Sequence, residues 1–246
     1  RHSVKNNLGE RCILKIEKLI KNGFKPTSDR LLDFTNHKIG RHNNMLDFTY
    51  LDDYEIISEI LQKDEWNDSE SRLMGAVSNG MALRGGNEEI SNAFEIERKL
   101  RNSVWNDNLP SRDQNIRDTR HIELLLIHPD FKPIDAYNEA RNQITKVDRL
   151  KDPYFVSAYI KSLVLAEKRD EDDNVVRLIR EFIFPFNVHL NPFHRLAYWC
   201  VKYCEQNNLP NSEFIDYLQE MSNVPESNHG IVGLMLSFYL KSIERD

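Results

Sequence analysis

The chain has 246 residues, 40% of them hydrophobic and 29% charged, so its composition excludes a disordered polymer and allows one large domain or two small ones. A formal net charge of −6 and a pI of about 5.8 disfavour nucleic-acid binding, because phosphate neutralisation needs a basic surface. The three cysteines are too few for a disulfide scaffold and favour a reducing, cytoplasmic compartment. The longest apolar run, at 231–240, is too short to span a bilayer, and a first residue other than Met leads us to expect a fragment of a longer protein.

Helical periodicity dominates the sequence. Apolar residues recur at three- and four-residue intervals in 13–20, 54–62 and 175–184, which is the pattern of amphipathic helices. The alternation of polar and apolar residues that is typical of strands is scarce. The sequence therefore predicts an all-α chain.

An aromatic residue followed by a polar turn comes after several of the helical runs. These aromatic residues are Phe24, Trp66, Trp105, Phe131 and Phe186. Pro, Asn, Asp and Ser fill the turns, and each of these residue types can start a helix. A motif that recurs in this way is typical of a solenoid, in which stacked helix pairs close a core that one pair cannot cover. We expect the five rings to pack between neighbouring pairs.

The segment 121–141 contains one such junction. Its apolar run 124–127 is followed by Pro129, which breaks the helical pattern, and Pro133 can begin the next helix because its φ is already helical. We interpret the run as the second helix of one unit, Phe131 as the ring that closes the gap, and Pro133 as the start of the next unit.

The stretch NPFHRLAYW at 191–199 resembles the ankyrin repeat. Asn191–His194 stands where that family has Thr-Pro-Leu-His, and Ala197 matches the small residue of its first helix. Segments 122–133 and 16–26 are similar to the family's second helix and its exit into the next unit. The resemblance implies a degenerate solenoid of stacked helical hairpins that binds another protein along its concave face. Such arrays are frequent in secreted effectors of intracellular bacteria, which implies a host cytosol as an alternative location.

The spacing of the motif departs from the ankyrin pattern. The aromatic residues follow one another at intervals of 42, 39, 26 and 55 residues, whereas ankyrin units have about 33. Long inserts at 36–53 and 79–89 would account for the irregularity, and a HEAT-like repeat of about 40 residues is the alternative. The charged run 168–173 is expected to be a solvated loop. Since no low-complexity linker divides the chain, we predict one helical-repeat domain over 1–246.

The resemblance also indicates which residues contact a partner. In ankyrin proteins, loop tips and first-helix faces line the concave groove, and polar residues near the aromatic rings occupy matching places in this chain. The predicted binding residues are Lys25, Asn67, Asp68, Arg72, Asn106, Asp107, Arg112 and Lys132. Ordinary turn and helix-cap chemistry is an equally good explanation of these residues. For Trp66 and Trp105, core packing is favoured over a role as binding hot spots.

Metal and nuclease sites receive little support from the spacing of residues. Cys200 and Cys204 share a helix face, but His194 lies about 240° around a continuous helix from Cys200. We therefore expect buried cysteines and a structural histidine, and no zinc site. Arg117 and His121 are separated by three residues, closer together than in the Arg and His motif of some helical nucleases.

An enzyme stays the alternative to a binding protein. Gly85–Gly86 lacks the lysine-containing spacing of a phosphate-binding loop, and no nucleophile elbow is present. We expect neither a cofactor nor a metal. If the chain is a nuclease or hydrolase, its site would lie in the two inserts, and His37, Arg41 and His42 are the candidates because two histidines and an arginine cluster in 36–53.

Overall fold

The part of the chain that the structure describes consists of α-helices joined by turns and short 3-10 segments. The computed structural model describes residues 15, 18–20, 22–27, 31, 55–145, 149–180 and 191–222. The α-helices with both ends in this part of the chain are α1 (Glu55–Leu61), α2 (Asp68–Arg84), α3 (Asn87–Arg101), α4 (Val104–Asp107), α5 (Ser111–Leu125), α6 (Pro133–Gln143), α7 (Pro153–Leu165), α8 (Asn174–Leu178), α9 (Asn191–Gln206) and α10 (Ser212–Ser222). Short 3-10 segments precede α7 (Arg149–Lys151) and α8 (Glu171–Asp173). The described residues contain no strand, which confirms the all-α prediction.

The chain forms two compact units, Arg1–Pro110 and Ser111–Asp246, and each is described by itself. The first unit contains α1 to α4, and the second contains α5 to α10. None of the helices described in either unit combines the length and apolar character that crossing a membrane requires. The single repeat domain over 1–246 stays a prediction.

Helices α2 and α3 form a hairpin in the first unit. The Asn67 side chain accepts a hydrogen bond from the Glu70 N–H (2.9 Å), and the Glu70 carboxylate accepts one from the Asn67 N–H (3.0 Å), which is the reciprocal cap that starts α2. The helix is capped at its end by Gly85, whose φ of 76° is left-handed and favours glycine. The long insert predicted at 79–89 is therefore wrong, because α2 continues to Arg84 and only two residues separate it from α3.

The core of the first unit lies on the apolar faces of its longer helices. Buried apolar side chains in these helices include Ile57, Ile60, Leu73, Met74, Val77, Ile90, Ala93, Phe94 and Leu100. The buried Ser78 hydroxyl donates to the Ala93 carbonyl (3.0 Å) and so links α2 to α3 inside the core. The helix predicted over 54–62 is confirmed as α1.

Helix α7 is central to the second unit, where it packs against α5, α6 and α9. Its sequence is apolar on nearly all sides, as is typical of a buried helix, and Phe155, Ile160 and Leu163 have no exposed surface. The Asp152 carboxylate caps the start of α7 by accepting the backbone N–H two residues later (2.9 Å), and Pro153 suits the first turn. Helix α10 packs against α9.

The junction between α5 and α6 confirms the break predicted within 121–141. Helix α5 ends at Leu125 and α6 begins at Pro133. Between them, the rings of His128 and Phe131 meet edge to face, with their centroids 4.9 Å apart. The helix predicted over 175–184 is present as α8 up to Leu178, and residues 181–184 lie outside the described part.

The predicted role of the aromatic rings as buried plugs is wrong for Phe24 and Phe131. Their exposed fractions are 55% and 37%, and Trp66 and Trp105 are only half-buried. Phe24 and Phe131 lie in the non-helical turns, away from the apolar helix faces that supply the core. Phe186 lies outside the described residues.

Candidate binding groove in the first unit

A partly open cavity of about 740 Å³ lies in the first unit, among residues from α1, α2, α3, α4 and the turn before α2. We call it the groove. Buried Met81 and Ile96 contribute apolar lining, while Leu61 and Val104 beside them are 40% and 76% exposed. Exposed apolar side chains that adjoin a cavity of this size are typical of a binding surface.

Trp66 lines the groove and is fixed by polar contacts on two sides. Its indole Nε1–H donates to the Ile60 carbonyl (2.7 Å), which ties the turn before α2 to α1. The Lys99 ammonium lies 4.3 Å from the ring centroid, a cation–π contact, and also donates to the Lys63 carbonyl. These contacts hold the indole in one orientation, so one wall of the groove is formed in advance of any ligand.

Trp105 lines the groove from the short helix α4. The Ser103 hydroxyl caps that helix by accepting the Asn106 N–H (3.3 Å). The Trp105 Nε1–H donates to one carboxylate oxygen of Asp68 (2.7 Å), and the Arg72 Nε–H donates to the other (3.0 Å). The bond from Trp105, aided by Arg72, holds the pKa of the Asp68 carboxyl below its ordinary value. Asp68 is therefore a firmly anionic acceptor for the indole.

The charged side chains along the groove are unequally compensated. Glu95 pairs with Arg98 one turn along α3, at 2.5 Å. Lys99 is engaged by the Trp66 ring and a backbone carbonyl. Asp64 and Glu65, which lie in the turn between α1 and α2, are exposed, and neither carboxylate contacts a cation among the described residues. Lys99 keeps its charge in these contacts, so the lining has three carboxylates, those of Asp64, Glu65 and Glu95, against two cations, and its net charge is −1.

The bond between Trp105 and Asp68 joins the start of α2 to α4 and brings five of the predicted binding residues together. They are Asn67, Asp68, Arg72, Asn106 and Asp107. Asn67 is the cap of α2, and the Asn106 side chain donates to the Arg101 carbonyl (3.2 Å), so both have a local structural role. These five residues lie next to the groove, and the cavity itself is lined by others.

The remaining three predicted binding residues are not gathered at this place. Lys25 pairs with Glu55 at 2.6 Å, and that carboxylate raises the pKa of the lysine. Lys132 belongs to the second unit, where its N–H donates to the Asp135 side chain (2.8 Å) at the start of α6. Arg112 lies in α5, and its side chain is outside the described part.

The expectation that Trp66 and Trp105 pack in the core is wrong, because both indoles line the groove. Their alignment with Phe24 and Phe131 concealed a chemical difference: an indole N–H needs an acceptor, and the acceptors here are the Ile60 carbonyl for Trp66 and the exposed Asp68 carboxylate for Trp105. Leu61 and Val104 were not predicted as site residues. An apolar residue at the end of a helix gives no sign in the sequence that it will be exposed.

The cysteines of α9 are buried thiols, as the sequence predicts. Cys200 and Cys204 have no exposed surface, and burial raises the pKa of both thiols, that of Cys204 to about 11. No cluster of three or more His, Cys, Asp or Glu side chains in the described part of the chain is placed to hold a metal ion. His121, a residue of the weak nuclease pattern, is only 8% exposed within α5.

The charged run 168–173 is largely exposed, in agreement with the predicted solvated loop, and two of its carboxylates are held by hydrogen bonds. Asp170 accepts hydrogen bonds from the Tyr159 hydroxyl (2.8 Å) and the Val175 N–H (2.9 Å), and its own N–H donates to the Tyr203 hydroxyl (2.9 Å). The Tyr203 hydroxyl donates in turn to Asp173 (2.7 Å). Two carboxylates of the run therefore join α7 to α9, and the charge pattern alone could not show this.

The alternative enzyme site falls largely outside the described residues. His37, Arg41 and His42 lie in 36–53, of which nothing is described, and the side chain of His194 is likewise outside the described part. The second predicted insert is a helical hairpin and supplies no loop for a site. The enzyme alternative stays a prediction.

Comparison of the chain with protein-family models, with curated proteins and with solved structures finds no match in any of the three. The groove is thus interpreted from its own chemistry.

Proposed function

We propose that the protein is a protein–protein interaction module that binds a segment of another protein in the groove of the first unit. The observation that carries the proposal is the partly open cavity of about 740 Å³, with two oriented tryptophans and the exposed Leu61 and Val104 at one place. Tryptophan is enriched at the centres of protein interfaces, where it supplies apolar area and a polar N–H at low entropic cost. A wall fixed before binding also reduces the ordering cost of association.

The proposal includes a degenerate, ankyrin-like solenoid as the scaffold, with a HEAT-like repeat as the alternative. Packing between helices that are close in sequence supports it: α2 with α3 in the first unit, and α5 with α6, α6 with α7, and α9 with α10 in the second. Such local packing is typical of helical repeats. The predicted residues Asp68 and Arg72 then lie beside the binding surface, with Asp68 orienting Trp105.

The location that fits the proposal is a reducing one, the cytoplasm or a host cytosol. Cys200 and Cys204 are free thiols, both buried on one helix. Buried thiols persist where disulfide exchange is suppressed.

A display selection tests the proposed function. Peptides selected from a random library on the whole chain should lose about tenfold or more in affinity when Val104 is changed to Asn, because a polar amide then has to be desolvated in an apolar contact. Val104 is 76% exposed, so this change should leave the fold intact. Leu165→Asn is the matched control, since Leu165 is an exposed apolar residue of the second unit. Peptides that bind both variants as tightly as the unchanged chain would exclude the groove.

A further inference from the structure

The groove contains apolar surface and an excess of acid side by side. Asp64 and Glu65 line it, are exposed, and have no cation within ion-pair distance among the described residues. Of the other charged lining residues, Glu95 pairs with Arg98, and Lys99 contacts the Trp66 ring and keeps its charge. The lining thus has one carboxylate in excess, and a ligand that enters the groove meets net negative charge next to apolar contacts.

We infer that the segment bound in the groove is basic and apolar, with a Lys or Arg placed next to an aliphatic anchor. This inference rests on the proposed function. The anchor would contact Leu61 and Val104, and the cation would face Asp64 and Glu65. Charge complementarity of this kind selects partners and increases association rates more than it adds affinity.

The same charges argue against an acidic partner. A carboxylate or phosphate in the groove would be repelled by Asp64 and Glu65, and of the two cations in the lining Arg98 is already paired with Glu95. The whole chain carries a net charge of −6, which also opposes nucleic acid and anionic membranes. A basic segment is favoured both by the local and by the overall charge.

Three matched peptides test the inference on the full chain. Each is short, capped at both ends, free of tryptophan and labelled for fluorescence anisotropy, with leucines at the same positions and with Lys, Gln or Glu at the others. We expect the Lys peptide to bind tightest, and rising salt to weaken it. The double variant Asp64→Asn with Glu65→Gln should weaken it about fivefold, because exposed ion pairs contribute little each.

A matched control separates local from overall charge. Asp216→Asn with Glu220→Gln makes the same change in net charge on the exposed face of α10 and should leave affinity within twofold. Equal weakening by both double variants would overturn the inference, since only overall charge would then matter.

The variant Val104→Asn distinguishes the two levels of the proposal, because it changes the apolar contact and leaves the charge of the groove unaltered. If the Gln or Glu peptide binds as tightly as the Lys peptide and is weakened by Val104→Asn, the inference about charge fails and the proposed function stands. If no peptide binds, or none is weakened by Val104→Asn, both fail.

Discussion

Removing Arg149 should destabilise the second unit strongly, because Arg149 and Asp118 form a buried ion pair. Their side chains are only 3% and 7% exposed, and a guanidinium N–H of Arg149 donates to the Asp118 carboxylate. Arg149→Met keeps the aliphatic length and leaves the carboxylate buried without its cation. At an effective dielectric constant of about 20, two charges about 4 Å apart attract by about 4 kcal/mol. We therefore expect the free energy of unfolding to fall by about 3–5 kcal/mol.

The double variant shows whether charge is the cause. Changing Asp118 to Leu together with Arg149→Met removes both charges, so no buried carboxylate loses its guanidinium partner, and much of the lost stability should return. The double-mutant cycle should then give a coupling of about 2–4 kcal/mol. Arg141→Met is the matched control, because the partner carboxylate of Arg141, on Glu171, is 91% exposed. It should cost less than about 1 kcal/mol.

Urea unfolding followed by tryptophan fluorescence provides the measurement. Of the three tryptophans, Trp199 lies in the second unit, and Trp66 and Trp105 lie in the first. A background with Trp66→Phe and Trp105→Phe therefore makes the signal report on the second unit alone. The reasoning from burial is refuted if Arg149→Met lowers the free energy of unfolding no more than the exposed control Arg141→Met does. It is also refuted if the effects of the changes at Arg149 and Asp118 on that free energy are additive.

Three further changes test other parts of the structure. Gly85→Ala should lower the unfolding free energy of the first unit by about 1 kcal/mol in urea denaturation, because its φ of 76° is strained for a residue with a Cβ; Gly85→Asn should cost less, and equal costs would contradict the backbone argument. Tyr203→Phe should cost the second unit about 1–3 kcal/mol in the same assay, because the Asp170 N–H and the Asp173 carboxylate both lose the hydroxyl; a loss below about 0.5 kcal/mol would match an ordinary surface change instead. The free energy of unfolding should also fall in alkali, because burial raises the pKa of the Cys204 thiol to about 11 from an ordinary value of 9.0. The stabilisation that the buried, protonated thiol contributes is complete below pH 9.0 and is lost as the pH rises through about 11. Cys204→Ala should flatten that part of the pH profile of the urea midpoint, and an unchanged profile would count against the buried thiol.

Local signals in the sequence were sufficient to predict a helix boundary where a single residue fixes the backbone conformation. Pro133 starts α6 where the pattern predicts, because its fixed φ is helical. The same reasoning failed at 79–89, where Asn79 and Gly80 suggest a turn but lie inside α2. A buried helix face outweighs the cost of two interior glycines, Gly75 and Gly80, and the left-handed Gly85 ends the helix.

The groove could not be predicted because its walls are fixed by bonds between distant residues. The bond from Trp105 to Asp68 spans 37 positions, and the bond from Lys99 to the Lys63 carbonyl spans 36. Asp68 was among the predicted binding residues for its place in a turn, whereas its role is to orient an indole. Helical periodicity reports which face of a helix is apolar, and it does not report which apolar residue at the end of a helix remains uncovered.

The ordered run 168–173 has a consequence for mapping the protein by digestion. Lys168 and Arg169 are exposed and stand together, so they form an obvious trypsin site. A protease needs a stretch of backbone that can open into its cleft, and Asp170, immediately after the site, is held by two tyrosine hydroxyls from α7 and α9. Cleavage here should be slow in the native protein, and the absence of a cut at this point would not mean that the basic residues are covered.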